Sequence, residues 1–300
     1  MIWLNQQDMH YVMSYINDKK NIMGILKWFF RIVKENFSYK EKTTKCDIIS
    51  HSDKLSVMTF NIRRDTDKDG VNCWTNRKES IVKMIKEYGP DVICMQEVMP
   101  HMAKYLVSEL SGCYGHIGLE CFTNKELSKS WCFLGEGMIT FYKRGKFSLV
   151  DSDYMKLFDY RAINVRRASL VTLKDCNNKE YHIFNTHFCH KDSDCRKKSF
   201  DKIHNYIKNN NLSNVYVAGD FNCEITRSEA ITFSDNFNHN IPDKKGSINS
   251  YVDLERNITI DFVFTDNEME SSEVIRKGYD VKFLSDHYPV ICYFNNINKD

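Results

Sequence analysis

Between residues 54 and 295, short apolar runs alternate with stretches whose apolar residues recur at helical spacing. The runs LSVMTFNI (55–62), DVICMQE (91–97), YHIFNTH (181–187), VYVAGD (215–220), ITIDFVF (258–264) and VICYF (290–294) have strand length and are rich in β-formers, so each is predicted as a strand. Between the first two, Ile81, Met84, Ile85 and Tyr88 form an apolar stripe. Asn76 is expected to cap that helix, with Glu79 three residues on as in a capping box, and Gly89-Pro90 to stop it. Strands interleaved with helices predict a mixed α/β domain over residues 54–300.

Residues 1–53 have another character. Ile22, Leu26, Phe29, Val33 and Phe37 lie on one helical stripe with Lys27, Arg31 and Lys34 between them. This amphipathic helix is expected to pack on the catalytic domain or on a second subunit. The alternative is contact with a membrane surface through residues 22–37, because Trp28, Phe29 and Phe30 stand beside cations. The polar stretch Ser38 to Asp53 is expected to be a linker, so the chain divides into an N-terminal helical extension with linker (1–53) and a catalytic domain (54–300).

The placement of polar residues points to chemistry. Asn61, Glu97, His187, Asp220, Asn222 and Asp261 all fall at or near the end of an apolar run, and Asp286-His287 immediately precedes another. A buried polar group without a partner is costly, and so many at strand ends are predicted to meet in one site. Hydrolysis of a phosphate ester needs charge neutralisation, an activated water and a stabilised leaving oxygen. Carboxylate and amide oxygens such as those of Glu97 and Asn61 suit a hard divalent cation. Asp286 beside His287 could hold an imidazole tautomer, although neighbours on a strand face opposite ways. DTDKDG (65–70) has the look of a calcium loop, but the residue at its twelfth position is Asn76 rather than glutamate, so a turn is expected.

Composition narrows the picture. Lys plus Arg is 42 and Asp plus Glu is 40, a formal net charge of +2, which argues against tight nonspecific binding of duplex nucleic acid. The 11 cysteines are odd in number and include no C-x-x-C pair, which speaks against a zinc site or a redox motif and for a reducing, intracellular and cytoplasmic setting. The opening MIWLNQQDMHYV lacks a basic segment followed by an apolar one, and no apolar stretch reaches the ~20 residues of a membrane span.

TFNIR (59–63), QEV (96–98), NTHF (185–188), GDFN (219–222), IDFVF (260–264) and SDHYPV (285–290) occur in the order of the endonuclease/exonuclease/phosphatase family, which residues 54 to about 295 resemble. The resemblance implies a four-layer α/β/β/α sandwich of two mixed sheets flanked by helices, with the site at one sheet edge. It implies Mg²⁺, with Mn²⁺ as substitute, held by Asn61, Glu97 and Asp286. His187 and His287 would contact the phosphate, Asp220 would orient or deprotonate water, Asn222 would position water and phosphate, and Asp261 would support the site histidine or the metal. Arg63 and Arg167 are the substrate-binding candidates. The expected substrate is a phosphodiester or phosphomonoester, with nucleic acid or nucleotide favoured over lipid. The rival readings are a membrane-associated lipid phosphoesterase and a catalytically silent binding module. The sequence departs from the family's usual acidic residue at Cys189, which is expected to serve packing.

Overall fold

The computed structural model describes residues 22–39, 54–118, 135–160, 166–252 and 256–295. Most of the predicted linker, residues 40–53, lies outside them. The described elements run α1 (Ile22–Ser38), β1 (Lys54–Asn61), α2 (Trp74–Tyr88), β2 (Val92–Val98), α3 (Pro100–Leu110), β3 (Tyr114–Ile117), β4 (Gly137–Lys143), β5 (Ser148–Lys156), β6 (Arg167–Lys174) and β7 (Glu180–His187). They continue with α4 (Ser193–Asn209), β8 (Val215–Asp220), α5 (Ile231–Ser234), β9 (Asn238–His239), β10 (Asp261–Thr265), β11 (Ser271–Val274) and β12 (Val290–Asn295).

The strands make two six-stranded sheets, ordered β11-β12-β1-β2-β4-β3 and β5-β6-β7-β8-β10-β9. Each mixes one parallel pairing, β1 with β2 or β7 with β8, with antiparallel neighbours. The two-residue period of a strand sorts side chains into layers. Leu55 and Val57, Val92 and Cys94, Tyr181 and Ile183, Tyr216 and Ala218, and Val290 and Cys292 form the layer between the sheets. Their alternating neighbours Met58, Phe60, Ile93 and Met95 face α1, α2 and α3, and Phe184, Val217, Phe262 and Phe264 face α4 and α5. Because both faces of the central strands are covered, β1, β2, β8, β10 and β12 read as continuous apolar runs rather than as alternating ones, whereas the edge strands β5 and β11 are largely exposed.

Two helices depart from expectation. α2 starts at Trp74, two residues before the expected cap; Asn76 sits in its first turn and donates to the Val71 carbonyl. Its end matches: Gly89 takes φ 52° and returns its N–H to Ile85. α1 forms, but its buried face is rotated from the predicted stripe. Trp28 and Ile32 are buried in the cluster with Trp74 and Tyr105, whereas Leu26 is 43% exposed and Phe30 65%. The helix therefore docks on the first sheet's helical layer. Of the described residues, no helix is long and apolar enough to cross a membrane. Cys113 is disulfide-bonded, which runs against the expectation of a reducing setting, while Cys73, Cys94, Cys176, Cys189, Cys195, Cys223 and Cys292 are free.

Candidate active site

The inter-sheet layer changes character at one edge. On β1 the series Leu55, Val57, Thr59 ends in Asn61; on β2 the series Val92, Cys94 ends in Gln96; on β7 Tyr181 and Ile183 give way to Asn185 and His187; on β8 Tyr216 and Ala218 give way to Asp220. Register aligns these ends: Asn61 lies opposite Gln96, His187 opposite Asp220, and Asp220 opposite Asp261. Gly219 permits the close approach of β7 and β8, since a Cβ there would lie 2.2 Å from the Thr186 carbonyl oxygen.

Glu97 reaches the edge by a different route. By parity it belongs on the helical face, but the register shifts between Met95 and Val98 and Glu97 takes φ 59°. The bend delivers its carboxylate to Asn61, whose Nδ2 donates to Glu97 Oε1 at 3.1 Å and to Asp220 Oδ2 at 3.0 Å. Asn222 (φ 53°) and Arg63 (φ 56°) are also left-handed, so three strained residues meet at this edge.

Asp220 is the hub. Its Oδ2 also faces His187 Nε2 at 3.4 Å and His287 Nε2 at 3.9 Å, and its Oδ1 accepts from the Asn222 N–H at 2.9 Å. The Asn222 side chain donates to the Phe188 carbonyl at 3.0 Å. His287 Nδ1 lies 2.9 Å from Asp261 Oδ2, so the imidazole's carboxylate partner comes from β10 and not from the adjacent Asp286. Ser247 donates to the same Asp261 oxygen at 2.6 Å. Asp286 instead lies 3.6 Å from the Arg63 guanidinium.

These contacts set different charges on the two imidazoles. Burial works against a charged His287, but Asp261 and Asp220 outweigh it and hold its pKa well above the ordinary value. Burial and the Arg166 charge pull His187 down to about 4, which leaves it neutral near pH 7. Burial also raises Asp286, and the nearby Glu97 charge adds to this.

The donors fit a divalent ion. Among the described residues, ligand atoms of Asp220, Asp261 and His287 lie within 4.8 Å of one another. Asp261 Oδ1 is buried with no hydrogen-bond partner. A charged His287 has no lone pair to offer a cation, so the donors suited to one are the carboxylate and amide oxygens, among them those of Glu97 and Asn61 beside Asp220.

Sequence reasoning missed several residues at this edge. Asn185 stitches the sheets together, donating to the Met95 carbonyl (3.2 Å) and the Ile139 carbonyl (3.1 Å) and accepting from Gln96 at 2.9 Å. Arg77 is fully buried and donates to the carbonyls of Ile62, Arg63, Asn72 and Leu284, clamping two of the segments that carry the site. Arg167, singled out from the sequence, lays its guanidinium over the Tyr154 ring at 5.1 Å. Its neighbour Arg166 is the one whose charge bears on His187, and it pairs with Asp159 at 3.2 Å. Cys189 is buried, with its Sγ 3.9 Å from Asp159.

The model of the endonuclease/exonuclease/phosphatase family matches residues 58–287, which contain every one of these groups. The chain belongs to this family. Among solved structures, an endonuclease/exonuclease/phosphatase from Bacteroides vulgatus is 26% identical with a TM-score of 0.68, covering 81% of this chain and 98% of that one. A mannosyl-6-phosphatase from Bacteroides thetaiotaomicron is 21% identical (TM-score 0.67; 79% and 98% covered). The human Nocturnin catalytic domain with bound sulfate is 19% identical (TM-score 0.63; 87% and 97% covered). No curated protein matches the chain. Members of the family are phosphoesterases, and this chain is a hydrolase of that kind with the family's two-sheet architecture.

Proposed function

We propose that this family member hydrolyses a phosphate ester by direct attack of water on phosphorus, with Mg²⁺ as the resident cation and Mn²⁺ as a substitute. The observation that carries the reading is the convergence on one oxygen, Asp220 Oδ2, of the Asn61 amide at 3.0 Å and the imidazoles of His187 at 3.4 Å and His287 at 3.9 Å. Asp220 orients or deprotonates the attacking water. Asn222 positions water and phosphate. His287, kept charged by Asp261, and neutral His187 contact the phosphoryl oxygens. Glu97, Asn61 and Asp286 would hold the cation, which when bound offsets the phosphate's negative charge. Arg63 and Arg166 add guanidinium forks suited to phosphate.

The favoured substrate is a nucleotide or nucleic acid. Tyr160 and His190 meet edge to face at 6.0 Å, with Lys191 5.0 Å from the Tyr160 ring, and His190 lies close enough to Asp220 to feel its charge. An aromatic rim with a cation beside a phosphate site suits a stacked base. A sugar phosphate is the competing class, in line with the mannosyl-6-phosphatase of the same fold. The deciding experiment is an activity screen in Mg²⁺ over single- and double-stranded DNA, RNA, nucleotides, sugar phosphates, phosphoinositides and sphingomyelin, with Asp220→Ala as control. Activity is expected on the nucleotide or nucleic-acid arm and is expected to vanish in EDTA. Full turnover after exhaustive chelation would sink the metal mechanism. Glu97→Gln is expected to raise the Mg²⁺ concentration needed for half-maximal activity.

A further inference from the structure

We propose that α1, which precedes the family-matched residues 58–287, is a positioning element of the active site, acting through the ion pair of Arg31 with Asp65. The Arg31 guanidinium donates to Asp65 Oδ2 at 2.8 Å, and His101 Nε2 meets the same oxygen at 2.9 Å. Asp65 and His101 are both fully buried. Asp65 ends a five-residue turn that begins at Asn61, and the turn carries much of the edge's geometry. The Arg63 N–H donates to Asn61 Oδ1 at 3.0 Å, and the Arg64 N–H donates to Glu97 Oε2 at 3.1 Å. The Arg63 side chain pairs with Asp69 at 3.1 Å and faces Asp286 at 3.6 Å.

The backbone of this turn needs holding. Arg63 sits at φ 56°, a conformation that persists in a non-glycine residue only when its surroundings over-determine it. Arg77 fixes the Ile62 and Arg63 carbonyls on one side. Asp65 fixes the other end, and one of its two side-chain partners stands on α1. The helix is set for this contact: Trp28 and Ile32 bury beside Trp74 and Tyr105, and Tyr39 packs on Tyr105 with ring centroids 5.3 Å apart. Arg31, with Glu35 beside it at 3.5 Å, occupies the face turned towards Asp65. The family fold thus receives from outside its matched span a cation that grips the segment carrying Asn61 and Arg63.

The test uses the full chain, in Mg²⁺, with bis(p-nitrophenyl) phosphate and p-nitrophenyl phosphate as probes. The variants are Arg31→Ala, Arg31→Lys and, on the exposed face of the same helix, Phe30→Ser. Hydrogen exchange of the amides of residues 63–69 is measured alongside. The expected result for Arg31→Ala is a kcat lower by about ten- to a hundredfold with KM little changed, the scale on which small misplacements act, together with faster exchange at 63–69. Arg31→Lys restores part of both, because it keeps the charge and loses the fork. Phe30→Ser changes neither. Wild-type kcat and wild-type exchange in Arg31→Ala would overturn the proposal, and so would an equal effect from Phe30→Ser. The kinetic arm rests on the phosphoesterase reading. If the wild-type chain hydrolyses neither probe, that reading loses support and the exchange data alone decide the role of Arg31.

Discussion

The layer between the two sheets has two ends built on the same strands with the same side-chain parity. At one end the layer is built mainly from apolar side chains such as Leu55, Val57, Val92, Ile183 and Ala218. At the other, a few residues along the same rows, stand Asn61, Gln96, Asn185, His187 and Asp220. Apart from the register shift that brings in Glu97, residue type and not strand geometry separates them. The apolar end makes the two-sheet sandwich cohere. The polar end holds clustered carboxylates, strained left-handed residues and an orphaned Asp261 oxygen in place against their mutual cost. Stability and chemistry are thus drawn from opposite ends of one layer.

The largest effect that would break this division is kinetic. Asp220→Asn and His287→Ala are each expected to lower kcat by about two orders of magnitude or more. The melting temperature is expected to hold or rise in Asp220→Asn, which neutralises one carboxylate of the cluster, and to fall in His287→Ala, which leaves Asp261 and Asp220 without their shared cation. Near-normal turnover of both variants on the true substrate would mean that the hub is misassigned. At the apolar end the signs reverse. Ile183→Ala is expected to cost about 2–5 kcal/mol in denaturant unfolding, with kcat per folded molecule unchanged. Asn185→Ala sits at the boundary and should show both effects in smaller measure. It strips partners from Gln96 and from two buried carbonyls, at about 1–3 kcal/mol, and loosens His187 two residues on. A purely structural or a purely kinetic outcome there would mean that the two ends meet more abruptly than the hydrogen bonds imply.

The smallest effect is acid-dependent and reports on α1. Burial opposes the Asp65 charge, but the hydrogen bond and charge of His101 and the charge of Arg31 outweigh it, so the folded-state pKa is lowered. Stability from a lowered carboxylate is present above its unfolded pKa, about 4, and is lost as pH falls through the folded value. The gap in melting temperature between wild type and Arg31→Ala should therefore be widest near neutral pH and close below about pH 4. A gap that does not vary with pH would show that Arg31 contributes by packing alone.

Much of this was legible before any coordinates. Apolar runs with polar ends carry Asn61, Asp220 and His187 to one sheet edge, because a two-residue period takes each row straight from core to edge. What the sequence hides is whatever breaks that period or crosses between sheets. Glu97 reaches the site only through a bulge, and the pattern of its strand gives no sign of one. The partner of His287 is 26 residues away on β10; adjacency in the sequence points instead to Asp286, and only the family resemblance names Asp261 as support for a site histidine or the metal. Arg166 and Arg167 are indistinguishable as a dipeptide until β6 is seen to begin at Arg167. The buried face of α1 is set by Trp74 and Tyr105, which lie far along the chain, and so its rotation could not be read from the helix's own stripe.

The position of β1 has a consequence for how the chain is made. It is flanked by β2, its early neighbour, and by β12, the last of the described strands. Arg77 repeats the pattern, since one of its acceptors is the carbonyl of Leu284, 207 residues later. A nascent chain emerging from the ribosome therefore carries an open edge along β1, and a guanidinium short of one acceptor, until the end of the domain has been synthesised. For most of its synthesis the protein has the strands of its core but neither a closed first sheet nor a finished site. A message or a chain cut short before β12 can yield no working enzyme, only an exposed strand that invites aggregation.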